Sequence, residues 1–309
     1  MYISDGLVEQ HIHGAFGYDF MDCSVDEVLI VAEQLAMCGV TAFFPTIMTD
    51  DLSIIKERIS VIKEAMQKQK KNSAQIVGVH LEGPFINPEK SGIHEKKFIL
   101  PLDVELFKQV ENELIKIVTV APELDVKGDF VNYLKSKKIK VSVGHSIASD
   151  LSNAEQVTHL YNAMGTFSHR GNSTVVSALV NNNIYAEIIA DSMHVSEDVL
   201  KITFKQKSLD KILLISDALP LAHSDIEQKN FAGELIYNKN GKLVNKNGVL
   251  AGSSMLLCDI VKNLADKNIL KIEEAVCAAS SNQLNYHNLS NHIKVHWNDL
   301  NIIEKIEFI

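Results

Sequence analysis

The feature that most constrains this chain is an alternation. Eight short apolar runs, rich in β-branched residues, fall at about 6–13, 40–45, 76–81, 116–120, 140–144, 156–159, 185–190 and 212–216. Between them lie amphipathic segments, or loops long enough to hold a helix. Residues 25–37 (Val25, Val28, Leu29, Ala32, Leu35, Ala36) and 52–66 (Leu52, Ile55, Ile59, Ile62, Met66) place apolar side chains at spacings of three and four. That is the pattern of a helix with one buried face. Residues 195–205 repeat it. Eight βα units over about 250 residues predict an α/β fold, a (β/α)8 TIM-like barrel. A doubly wound open sheet is the alternative, but it needs no eighth strand and usually carries a glycine-rich phosphate loop after its first strand. Neither GxGxxG nor GxxxxGK[ST] occurs in the chain.

After the eighth run the pattern changes. Residues 231–250 read as a hairpin, Gly233–Tyr237 and Lys242–Val244 about a turn at Asn238–Gly241. Helical patterns follow near 254–265 and 271–283, and His292 to Ile309 alternates as strands do. We expect a barrel over 1–285 and a C-terminal strand-like remnant of a small β domain over 286–309.

Composition narrows the function. The 309 residues are 46% hydrophobic and 22% charged with net charge −9, and no block of five like charges occurs, which argues against a nucleic-acid partner. The four cysteines, Cys23, Cys38, Cys258 and Cys277, form no CxxC pair, which fits a reducing compartment. The first residues carry no basic and apolar leader, and no apolar run approaches the ~20 residues of a membrane helix. The expected setting is cytoplasmic, with no membrane partner.

In a barrel of this kind the working residues stand at the C-terminal ends of the strands. Here the ends carry His11 and His13, then Glu82, His145, His159, Asp191 with His194 just beyond, and Asp217. Singly, each has an ordinary explanation: a hydrogen-bonded structural histidine, a solvated carboxylate or a helix N-cap. Six of the eight strand ends carry such a residue, and a barrel brings its strand ends to one mouth. Imidazoles and a carboxylate with a separate aspartate are the parts of a metal hydrolase: ligands, an activated water and a general base.

The motifs His80-Leu81-Glu82-Gly83-Pro84-Phe85, Ser91-Gly92-Ile93-His94, Gly144-His145-Ser146 and His159-Leu160-Tyr161-Asn162-Ala163-Met164 resemble those of the N-acetylglucosamine-6-phosphate deacetylase family of the amidohydrolase superfamily. Ala190-Asp191-Ser192-Met193-His194-Val195, Ile215-Ser216-Asp217-Ala218 and Leu250-Ala251-Gly252-Ser253 continue the match in order, over about residues 5–285. The resemblance implies a metal-dependent hydrolase barrel that removes the acetyl group of an amino-sugar phosphate. It implies Glu82, His145 and His159 as ligands of a divalent metal, zinc or iron. Asp217 becomes the general base and then the general acid. Ile93, His94, Asn162, Ala163, Asp191, His194, Leu250, Ala251 and Gly252 become the substrate-binding set. Arg170 sits where the family has a phosphate-binding arginine supplied across a homodimer interface. Family members that keep HxH on strand 1, as His11 and His13 do here, can hold a second ion, so one or two per subunit are expected.

Three departures stand out. Strand 1 begins by about residue 6, where the family usually has several dozen preceding residues in a small β-sandwich; the sandwich is expected to be absent or reduced. Gly171-Asn172-Ser173-Thr174 follows Arg170 where Glu-Pro-Gly is common, and Leu219-Pro220-Leu221-Ala222-His223 replaces a glycine-rich stretch. Two other functions stay open at this point: an amidohydrolase for a different amide or amino sugar, and a truncated, non-catalytic barrel that binds sugar phosphates.

Overall fold

The computed structural model describes residues 2–309. Eight parallel strands form the barrel: β1 (Leu7–Ile12), β2 (Val40–Met48), β3 (Val79–Glu82), β4 (Ile115–Val120), β5 (Lys140–Val143), β6 (Gln156–Val157), β7 (Tyr185–Ile189) and β8 (Ile212–Ile215). They pair in chain order, each with the next, and a two-residue strand, Gln75–Ile76, also pairs with β2. The alternation read from the sequence is therefore the architecture. The strands read as nearly continuous apolar runs because the packed interior lies on one side and helices such as α1 (Val25–Met37) and α2 (Leu52–Lys68) cover the other.

The seam between β8 and β1 closes at the mouth without a regular ladder. The Asp217 amide donates to the His11 carbonyl (3.0 Å), and the His13 amide to the Ala218 carbonyl (2.9 Å). Lower down, side chains take the place of strand pairing. The Glu9 carboxylate accepts from the Ser216 amide (3.1 Å), and Gln283 and Asn282 donate to the carbonyls of Leu214 (2.7 Å) and Ile212 (2.8 Å). Backbone groups left unpaired at a buried seam must find such partners. Gln283 and Asn282 lie on α9 (Ser281–His287), which follows α8 (Ile272–Ala279). The seam thus fixes His11, His13 and Asp217 relative to one another.

Beneath the mouth the interior is polar. His80 Nε2 meets Thr119 Oγ1 (2.8 Å), Thr119 meets Thr158 (2.8 Å), and Gln156 donates to Ser142 (3.1 Å). All of these side chains are buried and bonded to one another, which holds the layer rigid.

Two small sheets flank the barrel. Over the mouth, β9 (Gln228–Phe231), β10 (Glu234–Lys239), β11 (Lys242–Val244) and β12 (Leu250–Ser253) form an antiparallel sheet. Only its central hairpin, β10–β11, was expected. It packs Phe231, Ile236 and Leu243 against Met48, Leu219 and Leu221. At the other end, Tyr2–Asp5 pairs with β13 (Ile293–Trp297), which pairs with β14 (Ile303–Phe308). The strands expected after His292 therefore take the N-terminal residues as their third member. Trp297 is buried and its indole donates to Ser4 Oγ (3.0 Å). Among the described residues, no helix is long and apolar enough to cross a membrane.

Candidate metal centre and active site

Glu82 stands at the end of β3 with its two oxygens turned to different histidines. Oε1 lies 3.2 Å from His145 Nε2 and 3.0 Å from His159 Nε2, and these two nitrogens are 3.1 Å apart. Oε2 lies 3.2 Å from His13 Nε2 and 3.4 Å from His11 Nε2. The second pair also faces Asp217 Oδ1, at 3.1 Å from His13 and 3.4 Å from His11. Two donor sets thus share one carboxylate: Glu82, His145 and His159 on one side, and His11, His13 and Asp217 on the other.

Hydrogen bonds behind the rings decide which nitrogen faces the centre. His145 Nδ1 donates to the Lys90 carbonyl (2.7 Å), and His11 Nδ1 to Glu187 (3.1 Å). With Nδ1 keeping its proton, each ring in its neutral form offers Nε2 as the lone pair that binds metal. His11 Nε2 has no hydrogen-bond partner although it is fully buried. An orphaned buried nitrogen aimed at two carboxylate oxygens is what a cation position requires.

The charge balance agrees. Burial alone would raise the Glu82 carboxyl, but His11, His13 and His145 hold it well below the usual range. Burial would lower His11, yet Glu82, Asp217 and Glu187 raise it well above its ordinary value, and Asp217 and Glu82 likewise bring His13 to about 9. On the other side burial dominates and His145 falls to about 4. The carboxylates draw positive charge into a dry site, and a divalent ion on these N and O donors would supply it.

The backbone is held unusually at these points. His145 (φ 48°), His159 (φ 31°), Ala163 (φ 50°) and Asp217 (φ 51°) occupy the left-handed region without being glycine. Each such residue costs on the order of 1–3 kcal/mol, and such strain clusters at functional sites.

A cavity of about 550 Å³ opens onto the centre. His13, Glu82, Ile93, His94, His145, His159, Asn162, Ala163, His194, Asp217, Leu250 and Ala251 line it. His11 lies behind this surface. Asp191 is also behind it: Oδ2 accepts from His194 Nδ1 (2.7 Å) and from Ser253 Oγ (3.1 Å), so it orients His194. Gly252 supports Asp217 instead of lining the cavity. The Ser253 amide donates to the Asp217 carbonyl (2.9 Å), and a Cβ at Gly252 would sit 2.8 Å from Leu219 and 2.9 Å from that carbonyl. Arg170 is exposed on the loop before α5 (Thr174–Val180), where its Nε donates to His169 (3.1 Å), and it is not among the lining residues.

Several residues here were not picked out in the sequence. Thr49 Oγ1 lies 2.8 Å from His94 Nδ1 and holds that ring over the cavity. Phe231 packs against His13 with ring centres 5.5 Å apart. Lys90 lines the cavity, and its carbonyl holds His145. Nothing local marks Thr49 or Phe231, whereas Lys90 lies between two motifs that do carry a signal, in Asn87-Pro88-Glu89-Lys90-Ser91-Gly92.

Comparison with known proteins adds the following. No family model matches the chain. It is 33% identical over 273 residues to the N-acetylglucosamine-6-phosphate deacetylase of Bacillus subtilis strain 168, covering 84% of this chain and 69% of that protein. It is 28% identical over 283 residues to the N-acetylgalactosamine-6-phosphate deacetylase of Escherichia coli O157:H7, covering 88% and 74%. The crystal structure of the N-acetylglucosamine-6-phosphate deacetylase of Pasteurella multocida superposes with a TM-score of 0.91 at 25% identity, over 99% of this chain and 85% of that one.

Proposed function

The chain belongs to the N-acetylglucosamine-6-phosphate deacetylase family of the amidohydrolase superfamily, and we propose on that premise how its residues carry the reaction. It hydrolyses the N-acetyl group of N-acetylglucosamine 6-phosphate, giving glucosamine 6-phosphate and acetate. The observation that carries this reading is the shared carboxylate: Glu82 faces two imidazole pairs in one cavity, with Asp217 beside the second pair.

Glu82, His145 and His159 would hold one divalent ion. His11, His13, Asp217 and the other Glu82 oxygen would hold a second, with zinc and iron both suited to these nitrogen and oxygen donors. Such ions supply Lewis acidity, which polarises an amide carbonyl and makes water a better acid. Asp217 takes the proton of the attacking water and returns it to the departing nitrogen, because an amine leaves only when protonated. His94, whose Nδ1 meets Thr49 and whose Nε2 lies 3.6 Å from Glu82 Oε2, would offer that Nε2 to the acetyl oxygen as charge develops there. His194, whose Nδ1 is bound to Asp191, presents its other nitrogen to the cavity. Asn162, Ala163, Leu250, Ala251 and the Ile93 backbone shape the phosphosugar site.

Acetate release from N-acetylglucosamine 6-phosphate, with bound metal measured on the same sample, tests this directly. Release is expected, with loss on chelation and recovery on adding zinc(II) or iron(II). Metal-loaded, folded protein without release would overturn the reading. A higher kcat/KM on the 4-epimer, N-acetylgalactosamine 6-phosphate, would move the substrate to that sugar.

The phosphate needs a cation, and among the described residues Lys90 is the only lysine or arginine lining the cavity. We propose that Arg170 reaches the phosphate in a homodimer, from the partner subunit. A charge-assisted contact of about 1.5–3 kcal/mol means that Arg170→Ala should raise KM for the phosphorylated substrate about 10- to 100-fold. Turnover on the unphosphorylated sugar should stay unchanged. An unaltered KM would remove Arg170 from the phosphate site. We further propose that the barrel domain runs to residue 285 and that 286–309 form a small β unit of their own, with which the Tyr2–Asp5 strand pairs; residue 1 of the expected barrel range lies outside the described residues. A cytoplasmic location completes the reading, and activity sedimenting with membranes after cell fractionation would contradict it.

A further inference from the structure

Below the cavity, one carboxylate collects four donors. Glu187 is in β7 and is fully buried. Its Oε1 accepts from Gln10 Nε2 (2.5 Å) and Gln156 Nε2 (2.9 Å). Its Oε2 accepts from His11 Nδ1 (3.1 Å) and from the His159 amide (3.3 Å). Gln10 is itself oriented from below, since its Oε1 meets His287 Nε2 at 2.6 Å and so its amide nitrogen faces Glu187. The chain of contacts runs from α9 through Gln10 and Glu187 to His11.

From this geometry we infer that Glu187 is the positioning residue for the ion position formed by His11, His13 and Asp217. A carboxylate at Nδ1 holds the proton there and turns Nε2 outward as a lone pair. No other residue does this for the two strand-1 histidines, because His13 Nδ1 has no hydrogen-bond partner among the described residues. His80, whose ring also packs against His11, spends its nitrogens on the Gln10 carbonyl (3.1 Å) and Thr119 (2.8 Å). His145, on the other side, is oriented by the Lys90 carbonyl, independently of Glu187. Toward the first position Glu187 reaches only the His159 backbone amide and neither ring nitrogen, so removing its charge acts mainly on the second position.

The inference rests on the two-ion reading above, and the test separates the two. The metal-free full-length chain is titrated with cobalt(II), following visible absorption and the ions bound per chain. The wild type should take two ions. Glu187→Gln should weaken the second about 10- to 100-fold, the usual effect of losing a carboxylate behind a metal-binding histidine, and leave the first near its wild-type affinity. Glu187→Asp, which keeps the charge, should recover part of the loss, and it carries the test alone if the glutamine variant does not fold. Two unchanged affinities in Glu187→Gln (or in Glu187→Asp, where the glutamine variant does not fold), or parallel loss of both, would overturn the role given to Glu187. A wild type that binds one ion only would overturn both this inference and the two-ion reading.

Discussion

Glu82→Gln should remove bound metal and acetate release together while the barrel stays folded. Both oxygens of Glu82 are in use, one toward His145 and His159 and the other toward His11 and His13, at 3.0–3.4 Å. An amide has only one oxygen. Its NH2 must face one of the two histidine pairs as a donor, where a ligand lone pair is needed. The amide is also neutral, so the site loses the negative charge that offsets a divalent ion in a buried setting. We expect affinity at the position facing the NH2 to fall by at least about 100-fold, the upper end seen for losing even an indirect partner. Turnover should fall below one-thousandth of wild type, since both polarisation of the carbonyl and activation of water depend on the ions. Ion content by plasma emission, acetate release and circular dichroism on one preparation decide the matter. A folded Glu82→Gln variant with a full complement of metal would contradict the shared-carboxylate reading.

The glutamine should cost less stability than a charged mismatch would. In the ion-free protein, Glu82 is held ionised chiefly by His11 and His13, which are themselves raised toward the protonated form, His13 to about 9. Removing the carboxylate relaxes these rings toward neutrality as well as removing an attraction. Loss of metal therefore need not mean loss of fold, which is why structure and ion content must be measured together.

The residues that could be read directly were those whose place is set by strand position. His11, His13, Glu82, His145, His159 and Asp217 each end an apolar run, and a barrel gathers strand ends whatever its loops do. The residues that position them were not legible. Glu187 and Gln10 sit inside strands, where a sequence offers no sign of whether a polar side chain meets a histidine or another amide. Asp191 and Gly252 came into the substrate set through the resemblance, and no sequence pattern announces that Asp191 bonds His194 or that Gly252 packs under the Asp217 carbonyl. The left-handed backbone at His145, His159 and Asp217 carries no glycine to announce it. The sheet over the mouth was half seen for a related reason. The hairpin β10–β11 has a turn at Asn240-Gly241, but Gln228-Lys229-Asn230-Phe231 has no period-two pattern and is a strand only because β10 pairs with it.

Asp217→Asn should leave the first ion in place and lower kcat by about 100- to 10,000-fold, the range for removing a general acid–base group. The backbone of Asp217 is pinned on both sides, its amide on the His11 carbonyl and its carbonyl on the Ser253 amide, so an isosteric side chain keeps its place. Burial would raise its carboxyl, but His11 and His13 hold it below the usual range. It is therefore ionised at neutral pH and able to take a proton, whereas asparagine cannot. Glu82, His145 and His159 do not depend on it, so one ion per chain should remain, while the position that includes Asp217 weakens. KM should change little, because the cavity walls that meet the sugar are untouched. The measurement is kcat, KM and ions per chain on the same preparation. If kcat stays within tenfold of wild type, the proton must travel through another group. His94 and His194 are then the remaining candidates, since they are the histidines that line the cavity and are not assigned to an ion.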